Sequence, residues 1–334
     1  MGALYSVLAV SVLILFVIAG VWGFGWQGVF GVVLPYAAAA GFIAGFIYRV
    51  LKWAKSPVPF RILTVCGQQK SLPWIKDNAI ESPSTASGVV ARLALEILFF
   101  RSLLHNEKVE LKEAYKLIYR ENTYLWLGGL AFHWALFAIV LRHARFFLEP
   151  IPSFVLSIQW LDEILYNLFQ GLIPFLYISD FVILIALTYL FIRRVIYPQI
   201  RYFSLPSDYF ILLVFFCILL SGILMRLFFK VDLERVKEWT MGMLSFRPSV
   251  PRGVNIFFYI HLFFVLFLAA YFPVSKLMHM GGIFLSPTRN QMNTSRQERH
   301  INPWDYPVKV HTYEEYEDEF REAMREVGLP LEKE

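Results

Sequence analysis

Four of the seven histidines in this 334-residue chain stand on apolar segments. His133 and His143 stand at the two ends of HWALFAIVLRH, and His261 and His279 at the two ends of HLFFVLFLAAYFPVSKLMH. Ionisable side chains in hydrocarbon are costly, so they read first as functional groups with a partner. Two helices with two imidazoles each can hold two haem irons, each iron between one histidine from either helix. A proton path, a non-haem metal site and hydrogen-bonded packing are the other roles open to these residues. The chain has no CxxCH, so a haem held here is non-covalent. Cys66 and Cys217 are far apart and form no CxxC, which leaves a disulfide framework or a thiolate-held cluster without support. His105, His300 and His311 lie in charged segments, where surface or partner contact is the expectation.

The elements that position the four histidines must be membrane helices. Apolar types make up 57 % of the chain, charged types 17 %, and the mean hydropathy is +0.53. A soluble domain carries about 25 % charged residues. Six runs, 4–24, 28–50, 123–142, 171–192, 207–228 and 254–275, are each long enough to cross about 30 Å of hydrocarbon as a helix. The first lacks a basic leader and a second apolar run follows at once, so it reads as an anchor. Lys and Arg number twelve in 49–122, three in 193–201 and eight from Lys276 onward, against eight at Arg142, Arg145 and 226–252. The positive-inside tendency therefore predicts both termini in the cytoplasm, in the inner membrane of the cell. The net charge of +5 is read as this topology signal, and no nucleic-acid partner is expected.

Direction along the chain then restricts the pairing. The third span runs inside to outside and the sixth outside to inside. His143 therefore shares the outer level with His261, and His133 shares the inner level with His279. Ten residues of helix rise about 15 Å and eighteen about 27 Å, a mismatch that tilt or a helix broken at Pro273 must absorb. Gly128 and Gly129, about one turn before His133, leave room for a porphyrin edge or for a neighbouring helix. Gly41 and Gly45 read as helix-packing residues. Arg142 and Arg145 are candidates for outer propionates and Lys276 for inner ones, with snorkelling as the alternative.

Hydropathy divides the chain into two leading spans (1–53), an insert (54–122), a four-helix core carrying the histidines (123–285) and a polar tail (286–334). In the insert, RLALEILFFRSLLHNEKVELKEAYKLI has apolar residues at helical intervals and predicts an amphipathic helix on the inner membrane surface or a partner. TYEEYEDEFREAMREVG in the tail predicts a short amphipathic helix with a glycine stop, part of a partner-docking segment.

The two histidine segments resemble the haem-bearing helices of the respiratory nitrate reductase gamma-subunit family. The shared features are the ten- and eighteen-residue histidine intervals and FPxSKLxH, here Phe272, Pro273, Ser275, Lys276, Leu277 and His279. The resemblance implies an all-α, six-helix diheme cytochrome b that oxidises quinol. It implies haem b iron ligated by the same nested pairs, His143 with His261 and His133 with His279. CGQQKSLPWIK (66–76), SPTRNQMN (286–293) and RHINPWDYP (299–307) further resemble the DsrM family, the membrane cytochrome b subunits of DsrMKJOP complexes in dissimilatory sulfur metabolism. That implies menaquinol or menaquinone as the exchangeable cofactor. It implies four partners: a DsrK-like cytoplasmic iron–sulfur protein resembling heterodisulfide reductase, a DsrJ-like multihaem cytochrome c, a DsrO-like iron–sulfur protein and a DsrP-like membrane subunit. Asp162 and Glu163, in the outer link between spans three and four, are the candidates to take a proton from quinol; capping or solvating a surface helix is their other role. Related cytochromes of heterodisulfide-reductase-like complexes, the quinone-reducing direction, a passive membrane anchor and a histidine-lined transporter are the competing readings.

Overall fold

The structure, a computed structural model, describes residues 2–56, 78–104, 107–112, 116–164, 168, 177–286, 289–293 and 310–333. Cys66, His105, His300 and the motifs 66–76 and 299–307 lie outside this set, as do Pro287 and Thr288. The described residues are mostly helical. Five helical stretches are long and apolar enough to cross a membrane: Gly2–Gly23, Val29–Ala54, Thr123–Phe146, Pro206–Leu227 and Ile256–Val274. The fourth expected span, 171–192, begins at residues outside the set and continues as the helix Ile178–Ile196. That helix has 19 residues but carries Asp180, Arg193 and Arg194, which sets it apart from the other five by charge rather than length.

The long helices are α1 (Gly2–Ile18), α2 (Leu34–Ala54), α5 (Thr123–His143), α7 (Ile178–Ile196), α9 (Pro206–Leu227) and α11 (Ile256–Tyr271). Between them run α3 (Ala86–Phe99), α4 (Arg101–Leu104), α6 (Ser153–Asp162), α8 (Pro198–Phe203) and α10 (Leu233–Leu244). The short α12 (His279–Leu285) and the tail helix α13 (Tyr313–Glu326) follow.

Two compact units divide the chain: residues 1–47 with 94–279, and residues 48–93 with 280–334. The first holds all four histidines of interest. Its α1 packs on α9 and α11, with Val10, Val17, Val214, Phe258 and Phe264 buried between them. Its α5 packs on α7, and α7 on α9, around Phe132, Ala135, Ile183, Leu187, Phe215 and Leu219. Leu4, Leu8, Val12 and Leu15 on α1, and Trp134, Phe137 and Val140 on α5, are exposed instead. Apolar residues on the outward faces of apolar helices suit a lipid solvent. In the second unit, Asn293 donates its backbone N–H to Pro83 O at 2.7 Å, which joins the insert to the end of 286–293.

The insert departs from the helix expected over 92–118. Among the described residues it is helical at Ala86–Phe99 and Arg101–Leu104, and then forms an antiparallel ribbon of β1 (Glu107–Lys112) and β2 (Lys116–Glu121), with Val109 opposite Tyr119. EKVELK alternates polar and apolar residues, a period of two that pairs strands better than it covers a helix face.

Pro273 ends the regular part of the last long helix. A 3-10 turn covers Phe272–Val274, Ser275 is extended at φ −104° and ψ 177°, and a second 3-10 turn, Lys276–Met278, leads into His279. The Ser275 hydroxyl accepts from Leu277 N at 3.1 Å and caps that second turn. The eighteen residues from His261 to His279 are therefore not one continuous helix. Gly45 abuts the Pro273 ring, where an added Cβ would lie 2.8 Å from Pro273 Cβ, whereas Gly41 has nothing within 4 Å.

Candidate functional site

The four imidazoles meet in two pairs. His143, the last residue of α5, lies beside His261 in the second turn of α11, with ring centres 6.3 Å apart and planes 15° from parallel. His133, earlier on α5, lies beside His279, with centres 5.9 Å apart and planes at 84°. Among the described residues no ring contact joins His133 to His261 or His143 to His279.

These separations test whether a haem fits. A metal–imidazole bond is about 2 Å, and the ring centre lies roughly 1.1 Å further on, so two trans imidazoles have centres roughly 6 Å apart. Both pairs have this separation. The hydrogen bonds also suit a metal. Each Nδ1 faces a backbone carbonyl: His133 on Gly129 at 2.7 Å, His143 on Ile139 at 2.7 Å, His261 on Ile218 at 2.9 Å and His279 on Lys276 at 2.9 Å. A carbonyl only accepts, so Nδ1 carries the proton and Nε2 presents its lone pair. Among the described residues no group of three or more His, Cys, Asp or Glu forms a metal site, and a two-imidazole iron does not need one.

The insert reaches the His133 pair. Trp126 Nε1 donates to Phe99 O at 2.6 Å, and Trp134 Nε1 to Leu98 O at 2.9 Å, so α5 satisfies carbonyls at the end of α3. Phe100 then takes a positive φ of 50°, a left-handed turn unusual for an aromatic residue. Its ring stands edge-on to His133, with centres 4.8 Å apart. Gly128 and Gly129 serve packing: an added Cβ would meet the Tyr189 ring of α7 at 2.7 Å and Leu103 at 3.3 Å, respectively.

Beside the other pair lies a buried ion network. Arg142 Nη2 donates to Asp180 Oδ1 at 2.9 Å, and its Nε lies 3.0 Å from Asp162 Oδ2, close enough for an ion pair without hydrogen-bond alignment. Arg226, near the end of α9, pairs with the other oxygen of Asp180. Both guanidinium carbons lie over the Tyr177 ring, 3.5 and 4.0 Å from its centre. Two carboxylates thus balance two guanidiniums around an aromatic face, which offsets the cost of burying them. Asp162 also accepts from Ser179 N and Oγ, each at 2.7 Å, and so caps the start of α7.

The candidates therefore separate by partner. Arg142 and Asp162 belong to the ion network. Arg145 Nη1 donates to Gln159 Oε1 at 2.9 Å, and Gln159 Nε2 to Glu163 Oε1 at 2.9 Å, a second chain on α6. Lys276 Nζ is bonded to Asp208 Oδ1 at 2.7 Å; the other Asp208 oxygen accepts from Leu205 N at 3.0 Å. Asp180, Arg226, Asp208, Phe100 and Ser221 were not singled out from sequence. Charged residues inside or at the ends of apolar runs were the available signal for the first three.

Comparison with known proteins gives a concordant result. The family described as nitrate reductase gamma subunit matches residues 82–294. The chain is 45 % identical over 285 residues to a protein of Archaeoglobus fulgidus named Hdr-like menaquinol oxidoreductase cytochrome b-like subunit, covering 83 % of each chain. It is 38 % identical over 278 residues to the protein of the same name in Archaeoglobus profundus, covering 81 % of each.

Proposed function

This chain belongs to the nitrate reductase gamma subunit family, is a multi-pass membrane protein, and on that premise we propose that it is a menaquinol-oxidising membrane cytochrome b. In this reading it has six spans, with α7 the fourth, and both termini in the cytoplasm. Two b haems, when bound, would carry its electrons toward a cytoplasmic iron–sulfur partner of the heterodisulfide-reductase type. The observation that carries the proposal is the pair of imidazole pairs, with ring centres 5.9 and 6.3 Å apart and each ring tethered through Nδ1.

When bound, each haem supplies one-electron redox chemistry at an iron held between two imidazoles. His143 and His261 would hold the outer one, and His133 and His279 the inner one. The backbone carbonyls of Ile139, Ile218, Gly129 and Lys276 orient these rings and keep Nε2 unprotonated. Quinol binds at the outer level, where Asp162 ends α6 and Glu163 is its C-cap. Asp162 is buried and held by Ser179 and Arg142, so its role is to fix the α6–α7 corner. Glu163, only half-buried beside Gln159, is the group suited to take a proton and release it outside. Protons leaving outward while electrons move inward separate charge across the membrane.

The finer assignment is to a DsrM-type subunit of dissimilatory sulfur metabolism, with DsrK-, DsrJ-, DsrO- and DsrP-like partners. It is supported by the motifs at 66–76, 286–293 and 299–307, and by the Hdr-like names of the two relatives. The test is to mix purified complex with a menaquinol analogue and follow the haem spectrum. Rapid reduction that a quinone-site inhibitor blocks is the expected result. Haem-replete complex that stays oxidised overturns the proposal and leaves a membrane anchor.

A further inference from the structure

We propose that Ser221 is a positioning residue for His261 and sets the redox poise of the outer site, an inference that rests on the two-haem reading above. Three of the four histidines are tethered within their own segment: His133 and His143 to the carbonyls four residues before them, His279 to the carbonyl three before it. His261 is the exception. Its Nδ1 turns to a different helix, α9, and faces two oxygens there, Ile218 O at 2.9 Å and Ser221 Oγ at 3.1 Å.

The polarity of this contact follows from the serine's own bonds. Ser221 Oγ lies 2.5 Å from Cys217 O and 3.0 Å from Ile218 O, so its proton goes to a carbonyl of the preceding turn. Its lone pairs are then available to accept from His261 Nδ1–H. Ser221 is buried, at 4 % exposure, so water does not compete for the contact. Gly222 completes the seat: a Cβ there would lie 3.3 Å from His261 Cε1, tighter than an ordinary contact. The imidazole therefore rests directly against α9.

Two acceptors on one N–H make the ring a stronger donor to iron than one acceptor does. A stronger donor favours the oxidised metal, so the serine lowers the potential of the outer site relative to the same site without it. The inner pair has no counterpart among the described residues: each of its Nδ1 atoms meets one carbonyl.

The experiment is redox titration of Ser221→Ala and Ser221→Thr in the purified complex, with haem content and low-temperature EPR measured beside it. Ile218 O remains in both variants, so ligation is expected to persist. Ser221→Ala should shift the reduction equilibrium of the outer haem toward the reduced form by about three- to tenfold, where tenfold is about 59 mV for one electron. The inner haem should move less than twofold, and Ser221→Thr, which keeps the hydroxyl, should return the outer haem toward the parent value. If Ser221→Ala loses the outer haem while Ser221→Thr keeps it, the positioning role also stands. An unchanged outer haem, an equal shift of both haems, or haem loss in both variants overturns the assignment. Parent protein without haem defeats the functional reading itself, which a negative result in haem-replete variants does not.

Discussion

The imidazole of His133 stands almost perpendicular to that of His279, at 84°, whereas those of His143 and His261 are nearly parallel, at 15°. Parallel axial planes split the two iron orbitals that share the imidazole π direction, and crossed planes leave them nearly degenerate. Ferric EPR of the proposed diheme protein should therefore contain two low-spin signals. The outer haem should be rhombic, and the inner one strongly anisotropic with the larger maximum g value. Two identical rhombic signals count against the ring geometry.

Haem loss should follow the same pairs. Pyridine haemochrome analysis of the parent should give two non-covalent haems per chain. His143→Ala and His261→Ala should abolish the same EPR signal, and His133→Ala and His279→Ala the other. If His133→Ala and His261→Ala instead remove one common signal, the nested arrangement is wrong.

Asp180 bridges Arg142 and Arg226, and all three sit beside the His143 pair. Asp180→Ala leaves two guanidiniums without their shared counter-ion, a change that costs about 3–5 kcal/mol at a buried site. Asp180→Asn keeps a polar acceptor and should cost less. Thermal unfolding in detergent should rank parent, Asn and Ala in that order; equal midpoints contradict a structural role for the network.

The tail helix α13, which is not one of the apolar membrane-crossing helices, offers a pH test. The backbone N–H groups of Glu332 and Lys333, together with Arg321, hold the Glu317 carboxyl below the ordinary carboxylate range. A lowered folded-state value means the stabilisation is fully present above the unfolded value of about 4.3 and is lost as pH falls through the folded one. Amide-exchange protection at Glu332 and Lys333 should therefore weaken on acidification. In Glu317→Gln it should be weaker at neutral pH and nearly independent of pH. Unchanged protection in the variant sinks the linkage.

Topology can be read with reporter fusions. Fusions after Lys55, Arg201 and Glu334 should report cytoplasm, and fusions near Asp162 or Lys237 the outer side. A C-terminus outside reverses the direction of charge separation proposed above.

Much of the fold could be read from sequence because its signal is local. An apolar run near twenty residues specifies a membrane helix almost irrespective of its neighbours, which is why five of the expected spans appear with ends shifted by a few residues. The fourth was harder. Asp180, Arg193 and Arg194 dilute the helix Ile178–Ile196, and the role of Asp180 appears only once Arg142 and Arg226 are beside it. The insert misled for a related reason. A few apolar residues recur at helical intervals past Leu104, where the backbone instead pairs in a ribbon.

The sequence by itself determined that His133 and His143 share one helix, that His261 and His279 flank another with Pro273 between them, and, through alternating span direction, which histidines share a level. Only the tertiary structure decided how the rings meet. The stop at Ser275 sets where His279 sits, and the tilt between rings differs from 15° to 84° with no trace in the spacing. Ser221 lies forty residues from His261, and Arg142 thirty-eight from Asp180. Helical periodicity fixes which residues share a face of one helix. The rotation and stagger of one helix against another come from many weak packing contacts at once, and those place a hydroxyl, a carbonyl or a carboxylate against a given histidine or arginine.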